Sequence, residues 1–172
     1  GLEFARRACA LDPDDYEAFR IAGSLLAEAD DMPGALKAWL SSLAAFPLQD
    51  NVAEHVMLAL VKSKKSSVAI EFAKKRYALA RVTTKPPTLG FEIHFLNALV
   101  NLKRWGEAAT TLTKIQTREL THPADACGLA LALAKMGRRK EAKALLEGVL
   151  QKAPGHPQAE RLLAQIESGR GL

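Results

Sequence analysis

Met32-Pro33-Gly34-Ala35-Leu36, Ser66-Ser67-Val68-Ala69-Ile70, Trp105-Gly106-Glu107-Ala108-Ala109 and Arg139-Lys140-Glu141-Ala142-Lys143 are four versions of one pattern. Each follows a break in the chain and opens an apolar run. Their alanines Ala35, Ala69, Ala108 and Ala142 are separated by 34, 39 and 34 residues. A small residue at such a place lets two helices approach closely, because interaxial distance follows the side chains at the contact. A near-constant period of this length marks an array of stacked supersecondary units.

Working outward from these anchors, apolar residues recur at three- and four-residue steps, as in Phe19, Ala22, Gly23, Leu26 and in Leu129, Ala130, Leu133, Met136. That is the period of amphipathic helices, and strand-like alternation is missing. Breaks fall at Asp12-Pro13, Asp30 to Gly34, Pro47, Ser63 to Ser67, Pro86-Pro87, Lys103-Arg104, His122-Pro123, Gly137 and Pro154-Gly155. Proline lacks an amide donor and disfavours helix in the residue before it. The pattern predicts helices over 2–11, 16–29, 33–46, 50–62, 67–82, 89–102, 106–118, 123–136, 139–152 and 157–168. The expected fold is all-α, with about ten helices in antiparallel pairs.

These units resemble the tetratricopeptide repeat, a helix-turn-helix unit of 34 residues that stacks into a superhelix. From Tyr16 the sequence supplies, in the family's order, a bulky residue (Phe19), two small ones (Gly23, Ala35), an aromatic (Trp39), a small residue (Ser42) and proline (Pro47). The last unit, from Pro123, supplies Ala130, Gly137 in the turn, Ala142 and Pro154. The resemblance implies a right-handed superhelical solenoid running through 1–172. Its parts are the second helix of a truncated unit (1–14), units at 15–48, 49–88, 89–122 and 123–156, and a capping helix at 157–168. With the first helix of that unit absent, the chain is expected to begin inside a longer protein. Arg76 stands where the family prefers a small residue, Arg81 replaces the proline, and five extra residues delay the next unit. The helix from Ser67 is therefore expected to run long, or the loop through Pro86-Pro87 to swing outward.

Composition and motifs exclude several classes. Hydrophobic residues make up 48 % and charged residues 25 %, which disfavours disorder and a disulfide-stapled miniprotein. No apolar run is long enough to cross a membrane, and a soluble chain fits cytoplasm or periplasm equally. Cys9 and Cys127 match no metal or redox spacing. His55, His94, His122 and His156 are scattered, with no H-E-x-x-H, and no phosphate-binding glycine loop or G-x-S-x-G appears. No catalytic residue, metal or cofactor is expected. Cys127 reads as a buried thiol, and Trp39 and Trp105 as packing aromatics.

Lys62, Lys64, Lys65, Lys74, Lys75, Arg76, Arg81 and Lys85 face only Glu71 between positions 62 and 85. That window carries +7 in a chain of +5. It suits either an anionic partner or a solvated helix face. The second is preferred, since readers of nucleic acid interleave stacking aromatics and only Phe72 and Tyr77 are near.

In the family, first helices of successive units line the concave surface. Carried onto this sequence, the candidate partner-binding residues are Arg20, Ser24, Glu54, His94, Asn97, Asn101, Lys135 and Arg161. Asn97 and Asn101 lie one turn apart, and each carboxamide offers a donor and an acceptor to a peptide backbone. Family members that clamp the terminal carboxylate of heat-shock chaperones place lysine, asparagine, asparagine, lysine and arginine where this chain has Arg20, Ser24, His55, Gly90 and His94, so that partner is disfavoured. The leading expectation is a non-catalytic scaffold that holds a protein or peptide in a superhelical groove. The alternatives are a targeting segment of a larger bacterial protein, such as a glycosyltransferase or an exopolysaccharide secretion component, and an RNA-associated helical repeat.

Overall fold

The computed structural model describes residues 1–168. Among these every regular element is an α-helix: α1 (Leu2–Leu11), α2 (Tyr16–Glu28), α3 (Met32–Ala45), α4 (Asp50–Lys62), α5 (Ser66–Thr83), α6 (Leu89–Asn101), α7 (Trp105–Gln116), α8 (Pro123–Lys135), α9 (Arg139–Lys152) and α10 (Pro157–Ser168). The fold is all-α, with ten helices among the described residues, as periodicity predicts. The chain divides into two compact units, Gly1–Phe91 and a second beginning at Glu92.

Four tight turns share one backbone design. After α2, the Asp30 amide donates to Ala27 O and the Asp31 amide to Leu26 O, at 3.1 and 2.9 Å. The same pair of bonds recurs at Lys64 and Lys65, at Lys103 and Arg104, and at Gly137 and Arg138. This is the Schellman closure, and it requires a left-handed conformation at the first of the two donors. Asp30, Lys64, Lys103 and Gly137 fill that place, with φ of 61°, 58°, 57° and 82°. Only Gly137 adopts it without a Cβ penalty. Each turn delivers the chain onto an anchor alanine, and Ala35, Ala69, Ala108 and Ala142 are all fully buried.

Local chemistry sets several of the ends. Asp15 caps α2 by accepting from the Ala18 amide at 2.9 Å, and Asp31 caps α3 through the Gly34 amide at 3.0 Å. Pro33 and Pro123 stand in the first turns of α3 and α8, where a missing N–H costs nothing. In unit 1, Gly23 of α2 lies directly against the Trp39 ring of α3; a Cβ there would overlap Cδ1 and Nε1. Trp39 is 5 % exposed, as its place in the repeat predicts. Ser42 is fully buried beside it and donates to Tyr16 O at 2.7 Å, while the Gln49 carboxamide donates to Ser42 O and Phe46 O at 3.0 and 2.9 Å.

The irregular stretch after α5 has a physical account. The helix runs to 18 residues, against 14, 12 and 14 for α3, α7 and α9, and ends at Thr84 in the left-handed region. The expected long helix is therefore present. Arg76 is buried; its Nη1 donates to Pro47 O at 2.6 Å and its Nη2 pairs with Asp50. Lys85 reaches the other Asp50 oxygen at 2.6 Å. The surplus residues thus return to the start of α4.

Candidate partner-binding surface

In unit 1, α2 and α4 run parallel and enclose a cleft of about 310 Å³, lined by Ser24, Ala27, Met32, Trp39, His55, Leu58, Ala59 and Lys62. Its floor is apolar and its rim carries a hydroxyl, an imidazole and an ammonium. The His55 ring stacks on Trp39 with centroids 5.1 Å apart and planes tilted by 35°. The buried Trp39 Nε1 has no hydrogen-bond partner. Ser24 donates to Arg20 O at 3.3 Å, and Arg20 pairs with Glu17 at 2.7 Å. Glu54 lies further along α4 and is already engaged: Thr88 donates to it at 2.5 Å and in turn caps the Phe91 amide at 3.2 Å. Gly90 leaves room for that carboxylate, since a Cβ would overlap Oε1.

In unit 2, α6 and α8 are also parallel. A Cβ on Gly128 would meet Ile93 Cγ2 at 2.9 Å, so the two helices touch there with only glycine between them. Asn97 donates to Ile93 O and to Gly128 O, both at 3.0 Å, and is 4 % exposed. One turn on, Lys135 donates to Asn101 Oδ1 at 2.9 Å. Burial holds the Lys135 pKa below the ordinary lysine value. Asn101 is exposed, His94 half-buried, and Arg161 exposed on α10.

Residues 99–166 match the family profile described as Tetratricopeptide repeat. That stretch carries tetratricopeptide repeat sequence. Solved structures show the fold of that family over nearly the whole chain. A tetratricopeptide repeat protein from Parabacteroides merdae aligns with a TM-score of 0.76 at 15 % identity, over 98 % of this chain and 64 % of that one. A thermophilic TPR protein of Thermus thermophilus gives 0.72 at 19 %, over 91 % and 83 %. YrrB, a TPR protein with an unusual peptide-binding site, gives 0.62 at 18 %, over 93 % and 80 %. Comparison with curated proteins finds no match. Tetratricopeptide repeats form a scaffold for protein–protein interaction. Among the described residues no group of three or more His, Cys, Asp or Glu is placed to hold a metal ion, and no helix is long and apolar enough to cross a membrane.

Against the expectations of the repeat pattern, three placements are corrected. Asn97 does not share an exposed face with Asn101, because its amide is spent on two main-chain carbonyls inside the α6–α8 contact. Arg76 does not belong to a surface patch; it is buried on Asp50 and Pro47. Trp105 is not a packing residue but lies 47 % exposed at the start of α7. Cys127 is fully buried, as read from the sequence, and burial raises its thiol pKa. Within the basic window, Lys62, Lys64, Lys65, Lys74, Lys75 and Arg81 are exposed to differing degrees, with Lys74 paired to Glu71 at 2.7 Å. Of the candidates, Ser24 reaches the unit 1 cleft together with Lys62, while Asn97, Asn101 and Lys135 adjoin in unit 2. The repeat pattern misses Met32 and Trp39 as cleft walls, because both belong to α3 rather than to a first helix.

Proposed function

We propose that the chain is a non-catalytic scaffold that binds an extended peptide segment of a partner protein, with one apolar side chain of that segment seated in the cleft between α2 and α4. The cleft itself supports this most strongly. Apolar walls from Met32, Trp39 and Leu58 meet Ser24, His55 and Lys62 at the rim. Such a site, mostly apolar with a few convergent polar groups, has the composition of a recognition pocket. Lys62 at the rim favours a peptide with an acidic group one residue from the anchor, since complementary charge steers and orients a ligand. A peptide-binding site in YrrB, a protein with the same fold, agrees with this reading.

The test is selection of peptides from a random display library on the wild-type protein, followed by affinity measurement on Leu58→Arg. That substitution places a charge in the apolar wall. The selected peptides should bind the variant at least about tenfold more weakly, the loss of one anchoring contact, with unchanged helical circular dichroism. Equal affinity for both proteins would overturn the assignment.

A further inference from the structure

We propose that the edge of unit 2 formed by the α6–α7 and α8–α9 turns docks on a bilayer surface bearing anionic headgroups. The parallel packing of α6 and α8 brings the two turns side by side. Ile93 touches Gly128, Asn97 donates to Gly128 O, and Asn101 accepts from Lys135, so both helices end at one edge. The turns 102–104 and 136–138 follow directly, and both have the Schellman closure.

Charge collects at this edge. Residues 101–107 and 135–141 hold Lys103, Arg104, Lys135, Arg138, Arg139 and Lys140 against Glu107 and Glu141, a net +4. Residues 92–168 carry +3 in all, so the remainder of the unit is at −1. The polarity is local. Arg104 and Arg138 occupy the N-cap positions of α7 and α9 without a side-chain cap, where Asp, Asn, Ser or Thr would stabilise the helix. Each is tied to the glutamate three residues on, at 2.5 and 2.6 Å. Lys103, Arg139 and Lys140 are exposed. Cations at helix N-termini oppose the helix dipole; Lys65 breaks the same rule at the start of α5, and what sets this edge apart is that two such turns lie on neighbouring helices.

Apolar bulk lies among these charges. Leu102 is 44 % exposed and Trp105 47 % exposed, on either side of Lys103 and Arg104. Tryptophan favours the bilayer interface, where its ring spans the apolar and wet layers, and nearby lysine and arginine are drawn to anionic headgroups. A nucleic-acid strand would use successive stacking rings. This edge offers one large exposed ring, and Leu102 beside it suits acyl chains rather than bases. The attachment is peripheral, through shallow insertion of a turn.

The experiment is flotation of the whole chain with vesicles of phosphatidylcholine alone or with about 30 mol % phosphatidylserine added, a composition of roughly physiological anionic charge. The chain should float with the anionic vesicles and stay behind with the neutral ones. Combined Lys103→Glu, Arg139→Glu and Lys140→Glu should lower partitioning at least about a hundredfold, since each basic side chain near the surface contributes roughly a fivefold factor. The same charge change on α5, Lys74→Glu, Lys75→Glu and Arg81→Glu, matches it in net charge but leaves the docking edge unaltered, and should lower partitioning by less than about tenfold. Wild-type tryptophan emission should shift to the blue on the anionic vesicles and not in Trp105→Phe, because Trp39 is already buried. Equal flotation with both vesicles, an edge variant that partitions like wild type, or an unshifted emission would overturn the proposal. So would retention by single-stranded RNA with no vesicle binding.

Discussion

Replacing Arg76 by methionine should destabilise unit 1 by about 3 kcal/mol, because the guanidinium makes two charge-assisted hydrogen bonds, to Pro47 O and to Asp50, and its side chain is 8 % exposed. Bonds of that kind contribute about 1.5–3 kcal/mol each. Methionine keeps the packing of the arginine stem, and Lys85 remains with Asp50 at 2.6 Å, so the loss at Asp50 is partly offset. The full effect falls on Pro47 O, which loses its charged donor. Lys85→Met removes the other partner of the same carboxylate, but Lys85 is 62 % exposed, and an exposed pair contributes less than about 1 kcal/mol. Urea unfolding of wild type, Arg76→Met, Lys85→Met, Asp50→Asn and the Asp50→Asn, Arg76→Met double variant measures each loss and the coupling of Arg76 to Asp50, expected at about 1–3 kcal/mol for groups in direct contact. If Arg76→Met costs no more than Lys85→Met, the arginine is not a buried brace and the account of the long α5 fails.

Asn97→Asp keeps the shape but sets an acceptor against Ile93 O and Gly128 O; it should cost about 3 kcal/mol or more in urea unfolding, whereas the exposed Asn101→Ala should stay within about 0.5 kcal/mol. Lys64→Gly, at φ 58°, should stabilise by about 0.5–1 kcal/mol in urea unfolding, since glycine takes the left-handed conformation freely. Burial raises the Cys127 pKa, so the unfolded chain loses its proton first. Stability should therefore be full below the unfolded thiol value of about 8.5 and fall as pH rises above it. Urea midpoints at about pH 7.5 and about pH 9.5, read against Cys127→Ala at the same pH values, isolate that fall, and native Cys127 should alkylate only as fast as the helix opens.

The helices were legible because their signals are local. α1, α4, α9 and α10 have the boundaries that capping and proline predict, and the others differ by one or two residues. α3, α5 and α7 each begin one residue early, at Met32, Ser66 and Trp105, since the Schellman closure passes the chain straight into the next helix. What sequence could not supply were partners distant along the chain. Arg76 reads as a surface charge until Asp50, 26 residues away, is seen beside it. Asn97 reads as a groove contact until Gly128 O, 31 residues away, takes its amide. Trp105 reads as core from hydropathy, but it is the first residue of its helix, at the edge. The candidate cleft was partly legible: Ser24 follows from repeat position, while the wall from Met32 and Trp39 depends on how α3 crosses beneath it.

Ser42 joins three successive segments through one hydroxyl and its neighbours: Tyr16 O at the start of α2, its own α3, and Gln49 at the threshold of α4. In a linear array, cooperativity resides in what adjacent repeats share rather than in what each has alone. Here the shared element is a neutral hydroxyl and a carboxamide, with no ionic strength or proton concentration to weaken it. The first helix pair and the helix that follows it are thereby coupled into one melting unit, and that coupling persists under conditions where surface ion pairs have faded.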